Sequence, residues 1–467
     1  MQVLFLHNNF PAQYRHVAAA LAADPQNRIY AASLDNKKNL PGVTKYLYKA
    51  SREPAKTVHH YLRGTEAAVL DGQAVFRTCL ALRKKGIIPD VVCGHSGWGT
   101  TIYVKDAFPE ARLLTYFEWY YRAHDSDVDF FDKSVSYDDQ CRIRTRNLPI
   151  LMDLAHCDWG VSPTKYQLSQ IPTIFHPKLS LLHDGVDTDF FKPIEAPKLV
   201  LPNLILTGDM EILTYATRGM EPYRGFPEFM RAAAMLQKRR PNLHVVIAGQ
   251  DRVAYGKKLP EGETYRGKML QELSELDQSR LHFTGLLPYD QYVQLLQVST
   301  VHAYLTIPFV LSWSLLESMA SGCLVVASDT APVRELVEEG RTGLLFDFRS
   351  PQQLADRAEE AIERRAEMAE IRERARALIV ERYALKDLLP KHVGLIRDLA
   401  EGRLPRENAV GLVEPAEKSA FEGVYAAPER RDATSAPRPQ HAAGTPGQAP
   451  RSGRPGNLPR RKRRRRH

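Results

Sequence analysis

Residues 307–348, IPFVLSWSLLESMASGCLVVASDTAPVRELVEEGRTGLLFDF, constrain the fold of this chain more than any other stretch of it. They read as the end of a strand, a short helix stopped at Gly322, a buried strand over 323–328, a second helix, and a glycine turn at Gly343 into a further strand. Such β-α-β-α-β wiring belongs to a parallel sheet with helices on its faces. In sheets of that kind a ligand sits where strand carboxyl ends meet helix amino ends, because unpaired helix N–H groups collect there and favour anions. Glu317 falls one turn into the helix that follows a strand ending near Thr306, which lets its carboxylate face that crevice. The ligand predicted for the crevice is anionic and carries hydroxyls.

At 467 residues the chain exceeds one ordinary core and suits two α/β domains with appendages. Its net charge of +9 invites a nucleic-acid or membrane reading. Nine basic residues, however, lie in 451–467, which holds no acid; without them 55 of the 64 basic residues face 55 acidic ones. The basic excess therefore describes a tail ending RRKRRRRH, which is selective for negative charge and nothing finer. Peripheral contact with an anionic membrane is open to it, whereas nucleic acid is not expected, because no aromatic residue interleaves the cations. Cys79, Cys93, Cys141, Cys157 and Cys323 are odd in number and lack CxxC spacing, which predicts a cytoplasmic setting. The opening MQVLFLHNNF has no basic region before its apolar run, so no signal peptide is expected. No apolar run approaches the roughly 20 residues of a spanning helix.

Strand-like runs recur at 3–7, 28–34, 90–94, 112–117, 158–161 and 179–182, separated by helical stretches, as in a doubly wound domain. A second series follows at 212–217, 243–248, 281–285, 301–306, 323–328 and 343–346, alternating with helices at 225–238, 268–276, 289–298 and 351–365. Between them, Gly185 and Pro193 in LLHDGVDTDFFKP predict a chain reversal and an extended linker. Residues 366–401 read as helical, and beyond about 405 Pro, Ala, Gly, Ser and Arg leave too few apolar groups to offset chain entropy. The expected units are 1–195, 196–375, a terminal helix over 376–404, and a disordered basic tail over 405–467.

Glu317, Ala320, Gly322, the run 324–327, Glu335 and Gly343 to Leu345 together resemble the nucleotide-sugar-binding core of the family 4 (group 1) retaining glycosyltransferases. The resemblance covers roughly residues 1–400 and implies the GT-B fold, two Rossmann-like domains facing a central cleft. The terminal helix would then return to the first domain, and Asp184 stands where the family's interdomain hinge has Asn. The family's first glutamate of a Glu-x7-Glu pair, which contacts donor-sugar hydroxyls, is replaced here by Phe309, with Leu311, Ser312 and Trp313 where Phe-Gly-Leu is usual. A phenyl ring cannot accept those hydrogen bonds, which leaves an altered donor, another residue supplying the contact, or a lost activity; of these an altered donor is expected, because the phosphate and ribose positions look intact.

Arg218 and Arg224 lie six apart in ATRGMEPYRGFPEFMRAA, a loop after a strand, where Gly219 and Gly225 allow close backbone approach. By resemblance they grip the donor diphosphate and stabilise the charge it gains as it leaves. Ser314 to Glu317 form a capping-box pattern, so Glu317 either closes the helix start or, with Ser312 as the cap, binds ribose hydroxyls as in the family. Backbone N–H groups around Leu311 and Ser312 are candidates for the diphosphate, and the loop at Gly285 to Pro288, with Leu287, for the base. In the first half Asn8, Asn9, His95 (in GHSGWG) and Glu118 (in YFEWYY) fall at strand carboxyl ends and are candidates for the acceptor, with Trp119, Tyr120 and Tyr121 as sugar-stacking faces. Glu118 stands near where the family often has a histidine. Asp125, Asp127, Asp129 and Asp132 lack the order of a calcium loop, and no metal or cofactor is expected beyond the nucleotide-diphosphate sugar as co-substrate. Arg142, Arg144 and Arg146 read as a solvated strand or loop edge.

The reading is a metal-independent, retaining hexosyltransferase-type enzyme of polysaccharide or glycoconjugate synthesis, its acceptor a glycan, lipid or small molecule. The alternatives are a GT-B sugar-nucleotide epimerase and, from Phe309, a non-catalytic nucleotide-sugar binder.

Overall fold

The structure is a computed structural model that describes residues 1–202 and 204–405; the expectations of a disordered, lipid-contacting tail lie outside the described residues. A first sheet joins β1 (Gln2–Leu6), β2 (Arg28–Ser33), β3 (Val43–Leu47), β4 (Val91–His95), β5 (Arg112–Tyr116), β6 (Trp159–Ser162) and β7 (Leu179–Leu181). All its pairs are parallel, in the order β3-β2-β1-β4-β5-β6-β7. An antiparallel hairpin, β8 (Lys198–Leu201) and β9 (Leu204–Thr207), precedes the second sheet. That sheet joins β10 (Ile212–Ala216), β11 (His244–Ala248), β12 (Leu281–Gly285), β13 (Val301–Tyr304), β14 (Val325–Ser328) and β15 (Leu344–Phe346), again all parallel, as β12-β11-β10-β13-β14-β15.

The central strands are apolar on both faces because helices cover both: Val3 to Leu6 and Val325 to Ala327 are wholly buried. In each sheet the strand order reverses beside its first strand, between β1 and β4 and between β10 and β13. These switch points open crevices at the strand carboxyl ends. They place His7 and His95 in one lobe, and Thr217, Arg218 and Thr306 in the other.

The chain crosses between the lobes twice. After helix Ala369–Tyr383 it runs extended through Ala384, where Val186 donates to the Tyr383 carbonyl at 2.8 Å and Leu385 donates to the Val186 carbonyl at 2.8 Å. Helix Leu385–Ala400 then buries Leu388, Leu395, Ile396 and Leu399 in the first-lobe core with Val3, Phe5 and Val17.

The structure departs from the sequence reading in four places. Strand β3 and the hairpin β8–β9 were not anticipated. The helix expected between β14 and β15 is a single 3-10 turn, Val333–Glu335. There Glu335 turns toward the first lobe and accepts from the backbone N–H groups of Lys165, at 3.1 Å, and Tyr166, so its carboxylate serves as a clamp between lobes. Burial pushes its carboxyl up to about 7. Finally, Arg142, Arg144 and Arg146 lie on helix Tyr137–Arg146, whose start is capped by Ser136.

Candidate active site

A cavity of about 950 Å³ lies between the lobes, lined from both. Its second-lobe wall holds Arg218, Arg224, Tyr255, Leu287, Leu311, Ser312 and Glu317; its first-lobe wall holds Asn9, Gln13, Glu118 and Gln167.

Arg218 and Arg224 leave the end of β10 on the loop that leads to helix Phe226–Arg239. Gly225 starts that helix with φ +64°, and a Cβ there would meet the Leu305 side chain at 2.4 Å, which reserves the position for glycine. Arg224 is buried and donates from Nη1 to Thr306 Oγ1 at 2.7 Å, while exposed Arg218 reaches the Tyr255 hydroxyl at 3.4 Å. Both guanidiniums lie near the Tyr255 ring, 6.0 and 5.3 Å from its centroid. No carboxylate among the described residues is within ion-pair distance of either. Two permanently charged guanidiniums are thus left to face the cavity.

Tyr255 is held there by Glu221, which lies between the two arginines in sequence and is wholly buried. Its carboxylate accepts from the N–H groups of Ala254 (3.1 Å), Tyr255 (3.0 Å) and Gly256 (2.6 Å). Neither residue was singled out from sequence.

Helix Trp313–Ala320 is capped by Ser312, whose Oγ accepts from the Ser314 N–H at 3.3 Å. The cap leaves Glu317 free. Its carboxylate, 6% exposed, accepts from the Tyr289 hydroxyl at 3.2 Å at the edge of the cavity. Burial raises its pKa, against hydrogen bonding to Tyr292 and Tyr289 and the charge of Arg15. The N–H of Ser312, expected to be open to a diphosphate, instead donates to the Tyr304 hydroxyl at 2.9 Å. Gly225 lies behind the wall and does not line the cavity.

The first-lobe wall is a connected polar network. Asn9 N–H donates to His7 Nδ1 at 2.8 Å; since an amide N–H can only donate, the neutral ring carries its proton on Nε2 and passes it to Gln13 Oε1 at 2.9 Å. Burial, with His95 and Arg218 nearby and Gln13 opposing, pushes His7 down to about 2. Gln13 Nε2 in turn donates to Glu118 Oε1 at 3.2 Å, and Gln167 Nε2 to the Glu118 carbonyl at 2.6 Å. His95 Nε2 stands 3.6 Å from Glu118 Oε2, its ring stacked on Trp98 at 4.2 Å. The His95 Nδ1–H donates to the Ser96 carbonyl at 2.8 Å. Below that loop, buried Asp153 accepts from Ser96 Oγ and Thr101 Oγ1, both at 2.7 Å, and burial pushes its carboxyl up to about 6. Burial works against ionising Glu118, but His95, Arg218 and Arg224 outweigh it and hold the carboxyl below its usual range.

Three first-lobe expectations change. The Asn8 side chain accepts from the Tyr48 hydroxyl and does not line the cavity; His95 is buried and reaches the cavity only through Glu118. Trp119 is no open stacking face: it is buried against Phe309, ring centroids 4.8 Å apart. Phe309 also meets Tyr223 at 5.6 Å and Tyr255 at 5.2 Å, so the residue in place of the expected glutamate packs the joint between lobes. Of the acidic run, Asp129 accepts from the N–H groups of Asp125 (3.1 Å) and Ser126 (3.0 Å), while Asp127 accepts from the Tyr223 hydroxyl at 3.0 Å. Among the described residues no helix is long and apolar enough to cross a membrane.

Two parallel Rossmann-like sheets with a cleft between their switch points define the class as the GT-B fold. Sucrose-phosphate synthase from Thermosynechococcus elongatus shares it with a TM-score of 0.65 at 15% identity, over 86% of this chain and 100% of that one. Anabaena HepE in complex with UDP-glucose shares it with a TM-score of 0.60 at 14% identity, over 85% and 100%. The family model for "Glycosyl transferase family 4 group" matches residues 25–191 and that for "Glycosyl transferases group 1" matches 206–378. The chain belongs to the group 1 glycosyltransferases. It is 27% identical over 185 residues to the D-inositol 3-phosphate glycosyltransferase of Corynebacterium glutamicum (strain R), which is 38% of this chain and 42% of that relative's length.

Proposed function

We propose that the chain transfers a sugar from a nucleotide-diphosphate donor to an acceptor hydroxyl in this cleft, with retention of anomeric configuration and without a metal. One observation carries the reading: Arg218, Arg224 and Glu317, which come from separate motifs, converge on one cavity with neither guanidinium neutralised. Breaking the bond between the anomeric carbon and the diphosphate puts negative charge on the leaving group. Guanidiniums fixed beforehand stabilise that charge without reorganising. A carboxylate such as Glu317, whose partners are tyrosine hydroxyls and which has spare lone pairs, suits a ribose diol as a further partner. Leu287 and exposed Leu286 offer an apolar seat for the base, and Asn9 and Glu118 the acceptor side. Retention rests on the family resemblance. Metal independence rests on the two arginines, which supply the charge that a cation would otherwise bring.

The donor sugar follows from Phe309 and its neighbours, an aromatic joint where a hydroxyl-binding carboxylate was expected; an altered donor, rather than loss of transfer, fits intact phosphate and ribose positions. The relative in complex with UDP-glucose makes that donor the first to try. The test is a thermal-shift and turnover panel of uridine, guanosine and adenosine diphosphate sugars. A donor that raises the midpoint, and whose nucleoside diphosphate is released with a glycosylated product, supports transfer. Binding without turnover supports the non-catalytic binder, an isomerised nucleotide sugar supports the epimerase, and silence across the panel contradicts all three.

A further inference from the structure

Across the cleft, one carboxylate on the first-lobe wall, which also holds Arg15 and Lys38, stands apart from two guanidiniums on the second-lobe wall, which also holds Glu317. Glu118 on the first lobe and Arg218 and Arg224 on the second line the same cavity, and each arginine acts electrostatically on the Glu118 carboxyl. Yet among the described residues only His95 lies within ion-pair distance of Glu118, at 3.6 Å. Two arginines and a carboxylate with a void between them form a fixed dipole across the space where the proposed donor would lie. Arg224 is tied to its own lobe through Thr306 Oγ1 at 2.7 Å, which keeps its guanidinium from crossing the gap to Glu118.

The carboxylate is also tightly placed. Gln13 donates to one oxygen, His95 stands beside the other, and Gln167 fixes the backbone carbonyl. Behind these, His7 orients Gln13 and Asp153 pins the loop of His95. A residue serving only to bind one acceptor hydroxyl does not require a double layer of support. A charge that must stay fixed while another charge develops does.

We propose that Glu118 is a catalytic residue whose carboxylate stabilises the positive charge that grows on the donor sugar during transfer. This rests on the glycosyl-transfer reading and deepens it. As the bond from the anomeric carbon to the diphosphate breaks, both electrons leave with the diphosphate, toward Arg218 and Arg224, and the sugar becomes cationic on the side of Glu118. The acceptor hydroxyl oxygen then bonds to the anomeric carbon and its proton passes to an oxygen of the departing diphosphate. The cleft dipole points along this separation of charge, so it favours the transition state over the bound donor.

The experiment uses the full chain with Glu118→Gln, which keeps size and hydrogen bonding, and Glu118→Asp, which keeps charge. Inorganic pyrophosphate is titrated calorimetrically, and turnover is measured at saturating acceptor with the donor that the wild-type chain uses. Glu118→Gln is expected to tighten pyrophosphate binding several-fold, because a repelling charge is gone, and to lower kcat by about 100-fold. Glu118→Asp should recover part of that loss. Unchanged or weaker pyrophosphate binding would overturn the cross-cleft placement. A normal kcat with a raised acceptor KM would make Glu118 an acceptor contact and overturn the inference alone. A wild-type chain inert with every donor would overturn the transfer reading, and the inference with it.

Discussion

The two walls of the cleft are built on opposite plans. On the second lobe, Arg218 and Arg224 face the cavity with no neutralising carboxylate among the described residues, and Glu317 has tyrosine hydroxyls as its partners, so the groups there are unfinished until a ligand arrives. On the first lobe, hydrogen bonds link His7 to Gln13, Gln13 to the Glu118 carboxylate and Gln167 to the Glu118 carbonyl, with His95 in close contact beside them. A buried charge left unpaired costs stability until a ligand of opposite charge compensates it. A linked network adds to stability, because losing one member strands the others in a buried setting. Mutations on the two walls should therefore fail in different ways.

The largest effect is expected at Arg224. Arg224→Ala removes a preorganised cation, and turnover should fall by about 2 to 4 kcal/mol in barrier while the melting midpoint stays near wild type. A collapsed midpoint would make Arg224 a structural residue and erase the contrast. Glu221→Gln should come next: with the negative charge gone and an amide N–H facing three backbone donors, the loop carrying Tyr255 loosens, at a cost of about 1 to 3 kcal/mol in denaturant stability and with reduced turnover. Gln13→Leu is the matching break on the first wall. It leaves the His7 Nε2–H and one Glu118 oxygen without partners, so stability should fall by about 1 to 3 kcal/mol with diphosphate affinity unchanged. Weakened pyrophosphate binding in this variant would show that the walls are not independent. Glu317→Gln should lower donor affinity roughly tenfold, the scale of a hydrogen bond to a charged group, with little change in midpoint.

The smallest effect sharpens the joint between the walls. Asp184 accepts from Trp313 Nε1 at 3.0 Å and the Tyr116 hydroxyl at 3.1 Å, and burial pushes its carboxyl up to about 7. Between the ordinary carboxylate value and about 7 the folded chain therefore holds a proton that the unfolded chain has lost. Stability from this group is full at low pH and declines as pH rises through that window. Asp184→Asn, which keeps the acceptor oxygen, should be close to wild type at pH 4 and the more stable of the two at pH 8, as read by denaturant midpoints. An identical pH profile for the two would remove the assignment.

The same contrast explains what the sequence disclosed. Arg218, Arg224 and Glu317 were legible because phosphate and ribose recognition uses charged side chains at fixed distances from a strand end. The first wall was legible only in Asn9 and Glu118. His7 ends the first strand beside the switch point and was read as strand; Gln13 and Gln167 act through partners 105 and 49 residues away, which no local spacing encodes. Glu221 and Tyr255 were missed for a like reason, since backbone N–H groups more than 30 residues distant carry no side-chain signature. The sheets were legible from apolar runs that are buried on both faces. Strand β3 was not, because half-exposed VTKYL at a sheet edge lacks such a run.

Release of nucleoside diphosphate from uridine, guanosine and adenosine diphosphate glucose, measured for wild type and Arg224→Ala side by side, reads out whether the cleft guanidiniums act on the departing diphosphate. One donor should be turned over by the wild-type chain, with a glycosylated product, and turnover should fall at least about 100-fold in a variant that melts at the same temperature. Equal release by both proteins would contradict a cleft in which unpaired guanidiniums receive the departing diphosphate.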